Sequence, residues 1–191
     1  MPTLNLSLDP VVKLSNEQFY TICAANPELK LERSPDGELL IMAPTGGETG
    51  ARNSDLNLEL GIWNRQWKLG ILFDSSTGFT LANGADRSPD LSWIPLAKWQ
   101  ALSLEQRSKF LPLYPDLVIE LLSPTDSWFK AQDKMAEYQE NGCRLGWLID
   151  PKSRKVAVYH QDQLVEIQQS PTVLLGENVL PGLAIATSLL W

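Results

Sequence analysis

The fold is decided by residues 115–122, which read Pro-Asp-Leu-Val-Ile-Glu-Leu-Leu, with Pro124 soon after. An almost continuous aliphatic run of this length is typical of a central strand that is buried on both faces of a sheet. Glu120 interrupts the run. Because a buried carboxylate without a partner costs several kcal/mol, Glu120 must be paired with a core cation, protonated or bound to a metal ion.

The segments around this strand predict a mixed α/β fold with a central sheet. An N-terminal helix after Ser15 and a β-hairpin over 29–42 precede a long amphipathic helix over 48–68. The remaining predicted elements are strands at 71–74, 78–82, 90–94, 145–149, 155–159 and 164–168, a short helix after Ser103, and a helix over 129–141. We expect one domain spanning residues 1–191, of which 1–13 are loosely attached.

The composition excludes several classes of chemistry. The chain has 191 residues, one histidine and two cysteines, so a Ser-His-Asp triad or a multi-histidine zinc site is available only if His160 serves alone. Cys23 and Cys143 lack the spacing of zinc ligands and indicate reduced thiols of a cytoplasmic protein. No apolar run reaches the roughly 18 residues of a membrane span, and we expect no membrane association.

The net charge of −7 bears on the class of partner. Proteins that coat nucleic acid are usually basic, so this balance argues against broad, non-specific nucleic-acid binding. It leaves room for a local site that faces phosphate, and carboxylates gathered around a metal ion would themselves make the chain acidic.

Two acids follow prolines at the start of predicted strands. Pro89-Asp90 precedes one strand, and Pro115-Asp116 opens the strand that carries Glu120. Asp116 and Glu120 share one face but lie about 13 Å apart along the strand, too far to grip one ion. Asp116 therefore fits a turn acid at the strand entry. Asp90, on a neighbouring strand, is the best candidate for a second metal ligand beside Glu120.

Lys134 completes the candidate set. The packed stripe of its predicted helix consists of Ala131, Met135 and Tyr138. Lys134 falls about 70° from the centre of that stripe, at the margin of the buried face. A snorkelling surface lysine is one interpretation. The other is that its long side chain returns to the end of the sheet that carries Glu120.

Carboxylates and a lysine together suggest cleavage of phosphodiester bonds. Carboxylate oxygens suit Mg²⁺ or Mn²⁺, which would lower the pKa of bound water and polarise a phosphate. A lysine would stabilise the developing charge or orient the attacking water. None of these roles requires histidine.

Three stretches of the chain resemble a known bacterial family, the Uma-type restriction-endonuclease-like proteins, long catalogued as a domain of unknown function. They are residues 115–160, 42–60 and 87–95, and the similarity extends over roughly 14–191. The blocks PDLVIELLSP, KMAEYQENG and GWLIDP are specific when taken together. The resemblance implies the fold of the PD-(D/E)xK nuclease superfamily, a restriction-endonuclease-like mixed β-sheet flanked by helices.

The resemblance also implies roles for particular residues. Asp90 and Glu120 would be the metal-binding acids of a Mg²⁺- or Mn²⁺-dependent DNA endonuclease. The superfamily lysine normally stands two residues after the second acid, where this chain has Leu122. The family's recurrent Lys-x-x-x-Tyr, here Lys134 and Tyr138, implies that Lys134 replaces it.

Glu48, at the start of the long helix, matches an acid often found there in the superfamily, and we include it among the catalytic candidates. Its helical phase is about 90° from the stripe of Leu56 and Trp63. The alternative role for Glu48 is a favourable interaction with the positive end of the helix dipole.

Three functions therefore stay open: a Mg²⁺-dependent DNA endonuclease, a nuclease-fold protein that no longer cleaves and acts in nucleic-acid binding or assembly, and a phosphohydrolase of small nucleotides. Trp63 and Trp67 are expected in the core rather than in base stacking. The apolar end of the chain, Leu189-Leu190-Trp191, predicts docking or a homodimer.

Overall fold

The computed structural model describes residues 4–9 and 11–191. Its helices are α1 (Asn16–Ala25), α2 (Gly47–Trp67), α3 (Leu96–Ala101), α4 (Leu104–Arg107), α5 (Trp128–Glu140) and a 3₁₀ turn (Thr187–Leu189). α1 and α4 begin with capping boxes in which the Ser15 and Ser103 hydroxyls accept hydrogen bonds from the backbone of Gln18 and Gln106. Within the described ranges, no helix combines the length and apolar character needed to cross a bilayer.

The strands form one large and two smaller sheets. They are β1 (Leu4–Leu6), β2 (Lys30–Arg33), β3 (Leu39–Met42), β4 (Gly70–Asp74), β5 (Phe79–Thr80), β6 (Asp86–Arg87), β7 (Leu91–Pro95), β8 (Leu117–Leu121), β9 (Leu145–Asp150), β10 (Lys155–His160), β11 (Glu166–Gln169), β12 (Val173–Leu175) and β13 (Ala184–Ala186). The large sheet has the order β11-β10-β9-β8-β7-β4, and β12 pairs with β13.

β8, the strand from which the sequence argument started, lies in the middle of the large sheet. It runs parallel to β9 and antiparallel to β7. Its apolar residues face both ways, as a near-continuous hydrophobic strand requires. The predicted mixed sheet flanked by helices, with an N-terminal helix and hairpin, is confirmed.

The two long helices cover opposite faces of this sheet. Leu56 and Leu60 of α2 pack with Ile119 of β8 in one core. Met135 of α5 packs with Val118 of β8 in the other. Because side chains alternate along a strand, even-numbered positions of β8 face α5 and odd-numbered positions face α2.

A second sheet, ordered β1-β3-β2-β6-β5, lies beside the first. It contains the predicted hairpin, β2–β3, which packs against α1 through Phe19. A buried ion pair of 2.7 Å between Arg33 and Asp86 joins β2 to β6. The segment predicted to be loosely attached is only partly described, since residues 1–3 and 10 lie outside the described ranges. Residues 4–6 form β1, which pairs with β3.

The chain end and one tryptophan differ from expectation. Leu190 is fully buried and Trp191 packs against the α2-side core, so the tail docks on its own chain and gives no support to a homodimer. Trp63 is buried as expected. The prediction for Trp67 was wrong: it is 47% exposed, because it is the last residue of α2 and its indole lies at the core margin against Gly182.

Gly70, the first residue of β4, lets this edge strand approach β7. A Cβ at this position would overlap the carbonyl oxygen of Ile94 and the indole of Trp93.

We expect Gly70→Ala to lower the free energy of unfolding by about 2–4 kcal/mol, measured by urea denaturation. Gly50→Ala is the matched control: a Cβ there meets nothing within 4 Å, so this change in α2 should stabilise by up to about 1 kcal/mol. Equal effects of both changes would contradict the steric argument.

Candidate active site

The register of β7 against β8 brings two of the predicted acids together. Leu91 pairs with Ile119, and continuing the antiparallel register by one residue sets Asp90 opposite Glu120. Asp90 Oδ2 accepts a hydrogen bond of 2.9 Å from the backbone N–H of Leu121. Directly opposed residues of an antiparallel pair point to the same face, so both carboxylates lie on one side of the sheet.

That side is the one covered by α5. Glu120 shares its face with Val118, which packs on α5, and Lys134 of α5 reaches it. Lys134 Nζ lies 2.8 Å from Glu120 Oε1, and the Tyr138 hydroxyl donates to the same oxygen over 3.1 Å. The long side chain of Lys134 thus returns to the Glu120 end of the sheet, which is the second of the two interpretations that the sequence left open.

A third carboxylate, Glu32 of β2, enters the same cluster from the second sheet. Its Oε1 accepts hydrogen bonds of 2.9 Å from Lys134 Nζ and from the backbone N–H of Ser88. Its Oε2 lies 3.3 Å from Arg87, whose Nε in turn contacts Glu137 Oε2 at 2.5 Å. With 1% of its side chain exposed, Glu32 is among the most buried acids described.

Sequence reasoning missed Glu32. The predicted hairpin over 29–42 gave no role to the acid between Leu31 and Arg33, but all three residues are buried. The contacts of Glu32 come from residues 55, 56 and 102 positions away. No local signal marks it, because Arg87, Ser88 and Lys134 of α5 bury a carboxylate that an isolated hairpin would expose.

Glu48 does not join the cluster. It lies in the first turn of α2 with 84% of its side chain exposed and forms an ion pair of 3.3 Å with Arg52. Across residues 4–9 and 11–191, no hydrogen bond or ion pair connects it to Asp90, Glu120 or Lys134. The position suits the helix-dipole role that the sequence left open.

Three effects set the pKa values of Glu120, Asp90 and Glu32: burial, repulsion between the acids and attraction by nearby cations. Burial, followed by the charges of Asp90 and Glu32, raises the pKa of Glu120 to about 7 against the attraction of Lys134. Burial also raises the pKa of Asp90. For Glu32, burial is outweighed by Lys134 and Arg87, which hold its pKa below the ordinary value. The nearby cations therefore compensate the charge of Glu32 more completely than the charges of Asp90 and Glu120.

Asp90 and Glu120 each offer one carboxylate oxygen that suits a cation such as Mg²⁺. The hydrogen bonds to Asp90 and Glu120 use a single oxygen of each, Oδ2 and Oε1. Mg²⁺ is commonly held by one or two carboxylates together with waters and substrate phosphates. Within the described residues, no group of three or more His, Cys, Asp or Glu is arranged to hold a metal ion. Asp90 and Glu120 offer two carboxylates, and the other ligands would be water and substrate oxygens.

Asp116, the acid of the second Pro-Asp pair, has structural partners instead. Its carboxylate lies 2.7 Å from Lys98 and 3.6 Å from Arg144.

We expect Asp116→Asn to lower the free energy of unfolding by about 1–3 kcal/mol, because both cations lose their partner. Thermal unfolding by circular dichroism measures this, with the exposed Asp55→Asn as the control. A change no larger than that of the control would contradict the structural role.

The raised pKa of Glu120 makes the stability of the metal-free protein depend on pH. The folded protein keeps a proton that the unfolded chain releases above about pH 4.5, so stability is greatest below that pH and is lost as the pH rises through about 7. Glu120→Gln removes the ionisation. In EDTA at pH 8 we expect this variant to be about 1–3 kcal/mol more stable than the unmodified protein, with little difference at pH 5.

Thermal unfolding at both pH values measures that difference. Glu140→Gln, on the exposed side of α5, is the control and should show no such pH-dependent gain. A Glu120→Gln variant that is less stable than the unmodified protein at pH 8 would show that Lys134 outweighs burial at this position.

Comparison with known proteins bears on the whole chain. Residues 16–188 match the Uma2 family, described as "Putative restriction endonuclease". The structure is similar to a crystal structure of "a putative nuclease belonging to DUF820" from Anabaena variabilis, with a TM-score of 0.76 and 20% identity. That match covers 93% of this chain and 97% of the other, and at this identity it concerns the fold. A search of curated proteins gave no match.

Proposed function

This chain belongs to the Uma2 family, and on that premise we propose that it is a Mg²⁺- or Mn²⁺-dependent endonuclease that hydrolyses phosphodiester bonds of DNA. One observation carries the proposal. Two carboxylates, Asp90 and Glu120, adjoin each other on neighbouring strands, and the ammonium group of Lys134 lies 2.8 Å from one of them. Two acids and a lysine at one end of these two strands suit phosphodiester chemistry without histidine.

In this proposal, Asp90 Oδ1 and Glu120 Oε2 would hold the divalent ion, which when bound supplies a polarised phosphate and a more acidic water. Lys134 Nζ donates a hydrogen bond to a non-bridging phosphate oxygen and so stabilises the charge that develops during attack. The Tyr138 hydroxyl, which donates to Glu120 Oε1, keeps that carboxylate turned toward the site.

The superfamily lysine normally stands two residues after the second acid, and this chain has Leu122 there. In this proposal Lys134 takes the place of that lysine. Leu122 is buried in the α5-side core, where an ammonium group would have to be desolvated. The ammonium of Lys134 approaches Glu120 from the overlying helix instead. This contact supports the proposal that Lys134, from the helix, takes the part that the superfamily pattern gives to the strand position of Leu122.

Glu48 keeps a minor place in the proposal. Its exposed carboxylate at the start of α2 could meet substrate or a second ion only from the solvent side. The net charge of −7 argues against broad, non-specific nucleic-acid binding, and the proposal requires only a local site that faces phosphate.

Substitution of the three central residues tests the proposal. We expect Glu120→Gln and Asp90→Asn to reduce nicking of supercoiled plasmid in Mg²⁺ or Mn²⁺ by about 1,000-fold, because the ion loses a ligand. Lys134→Met should reduce it by about 100–1,000-fold, because one stabilising donor is removed. The initial nicking rate, measured with enzyme in excess, is the readout.

Asp133→Asn, next to Lys134 on the exposed side of α5, is the matched control and should leave the rate within about threefold. Mn²⁺ should also raise the Tm of the unmodified protein, but not that of Glu120→Gln. Nicking that survives all three central substitutions would contradict the site. A protein that neither nicks DNA nor is stabilised by Mn²⁺ would favour the non-cleaving, nucleic-acid-binding alternative. Hydrolysis of free nucleotides without nicking would favour the small-substrate phosphohydrolase.

A further inference from the structure

We propose that Glu32 is a positioning residue for this reaction, holding the Lys134 ammonium in place from the second sheet. The inference rests on the proposed nuclease function, and it assigns to β2 a part in catalysis. It starts from the contact of 2.9 Å between Glu32 Oε1 and Lys134 Nζ, which spans 102 residues of sequence.

Lys134 needs more than one anchor to be useful. An ammonium group has three N–H donors on a flexible four-carbon stem, and holding it in one place costs side-chain entropy. Glu120 and Glu32 each accept one donor, at 2.8 and 2.9 Å. Two anchors fix the direction of the remaining N–H, which is then available for a phosphate oxygen.

Glu32 is itself held rigidly. The backbone N–H of Ser88 donates to the oxygen that contacts Lys134, and Arg87 contacts the other oxygen. The side chain is 1% exposed, so substrate cannot reach it. Glu32 therefore acts through Lys134 rather than on the reacting atoms.

Ser88 and Arg87 also connect Glu32 to the segment that carries Asp90. They immediately precede Pro89-Asp90 in sequence, so one short segment fixes both Glu32 and Asp90. Lys134, held between Glu32 and Glu120, is thereby set at a defined place relative to Glu120 of β8 and to Asp90, which immediately precedes β7.

A double-substitution cycle separates a positioning role from a merely structural one. We expect Glu32→Gln to lower kcat for plasmid nicking by about 10–100-fold with KM changed less than about threefold, because the lysine is present but no longer fixed. In a Lys134→Met background, the same change should lower the remaining rate by less than about threefold, since the two residues act as one unit.

Glu137→Gln is the matched control. It removes a carboxylate from the same Arg87 without touching Lys134, and it should leave kcat within about threefold. Glu32→Asp is the second variant. It keeps the charge beside Arg87 but withdraws from Lys134 by one methylene, so its kcat should fall between those of the unmodified protein and Glu32→Gln. This variant decides the question if Glu32→Gln does not fold.

A readout that is independent of activity uses protein labelled with ¹⁵N in its lysine side chains. The Lys134 ammonium, held by two carboxylates, should give a signal protected from water exchange, identified by its loss in Lys134→Met. Glu32→Gln should broaden or remove this signal, and Glu137→Gln should leave it.

The outcomes separate the two proposals. Equal losses from Glu32→Gln with and without Lys134 would overturn the positioning role, as would an unchanged Lys134 signal. An unmodified protein that does not nick DNA would contradict the nuclease function and the catalytic part of this inference. The lysine signal would then still decide whether Glu32 holds Lys134.

Discussion

The antiparallel hydrogen bonding between β7 and β8 is the constraint on which the rest of the site depends. It sets Asp90 against Glu120 and turns both toward α5, since opposed residues share a face. The parallel pairing of β8 with β9 requires a crossover, and α5 is that crossover. Lys134 reaches Glu120 for this reason, so the ladder that builds the core also assembles the site.

Much of this arrangement could be predicted from the sequence because the signals are local. The apolar run of residues 117–121, the helical periodicity of α2 and the two capping boxes each depend on residues close together in the chain. The cost of burying Glu120 supplied a long-range argument: a carboxylate there demanded partners, and the strand spacing excluded Asp116. Asp90 and Lys134 followed from that requirement rather than from a motif alone.

The features that could not be predicted depend on how separate elements pack. Glu32 was not singled out, because alternation within a hairpin says nothing about the Arg87–Ser88 segment and α5, which contact it in the folded protein. Trp67 continues the apolar stripe of α2, yet the helix ends there and the ring is left at the core margin. Both outcomes depend on how separate helices and strands pack together, which the periodicity within one element does not indicate.

The second sheet has a consequence for how this protein opens and closes. Regions of a protein unfold in cooperative units whose free energies differ. Hydrogen bonds to Glu32 connect the hairpin β2–β3 to Ser88, which precedes β7, and to Lys134 of α5. Local opening of the hairpin would therefore remove one of the two anchors of Lys134 and leave its contact with Glu120 of the large sheet. The geometry of the site therefore depends on the hairpin staying closed as well as on the large sheet staying folded.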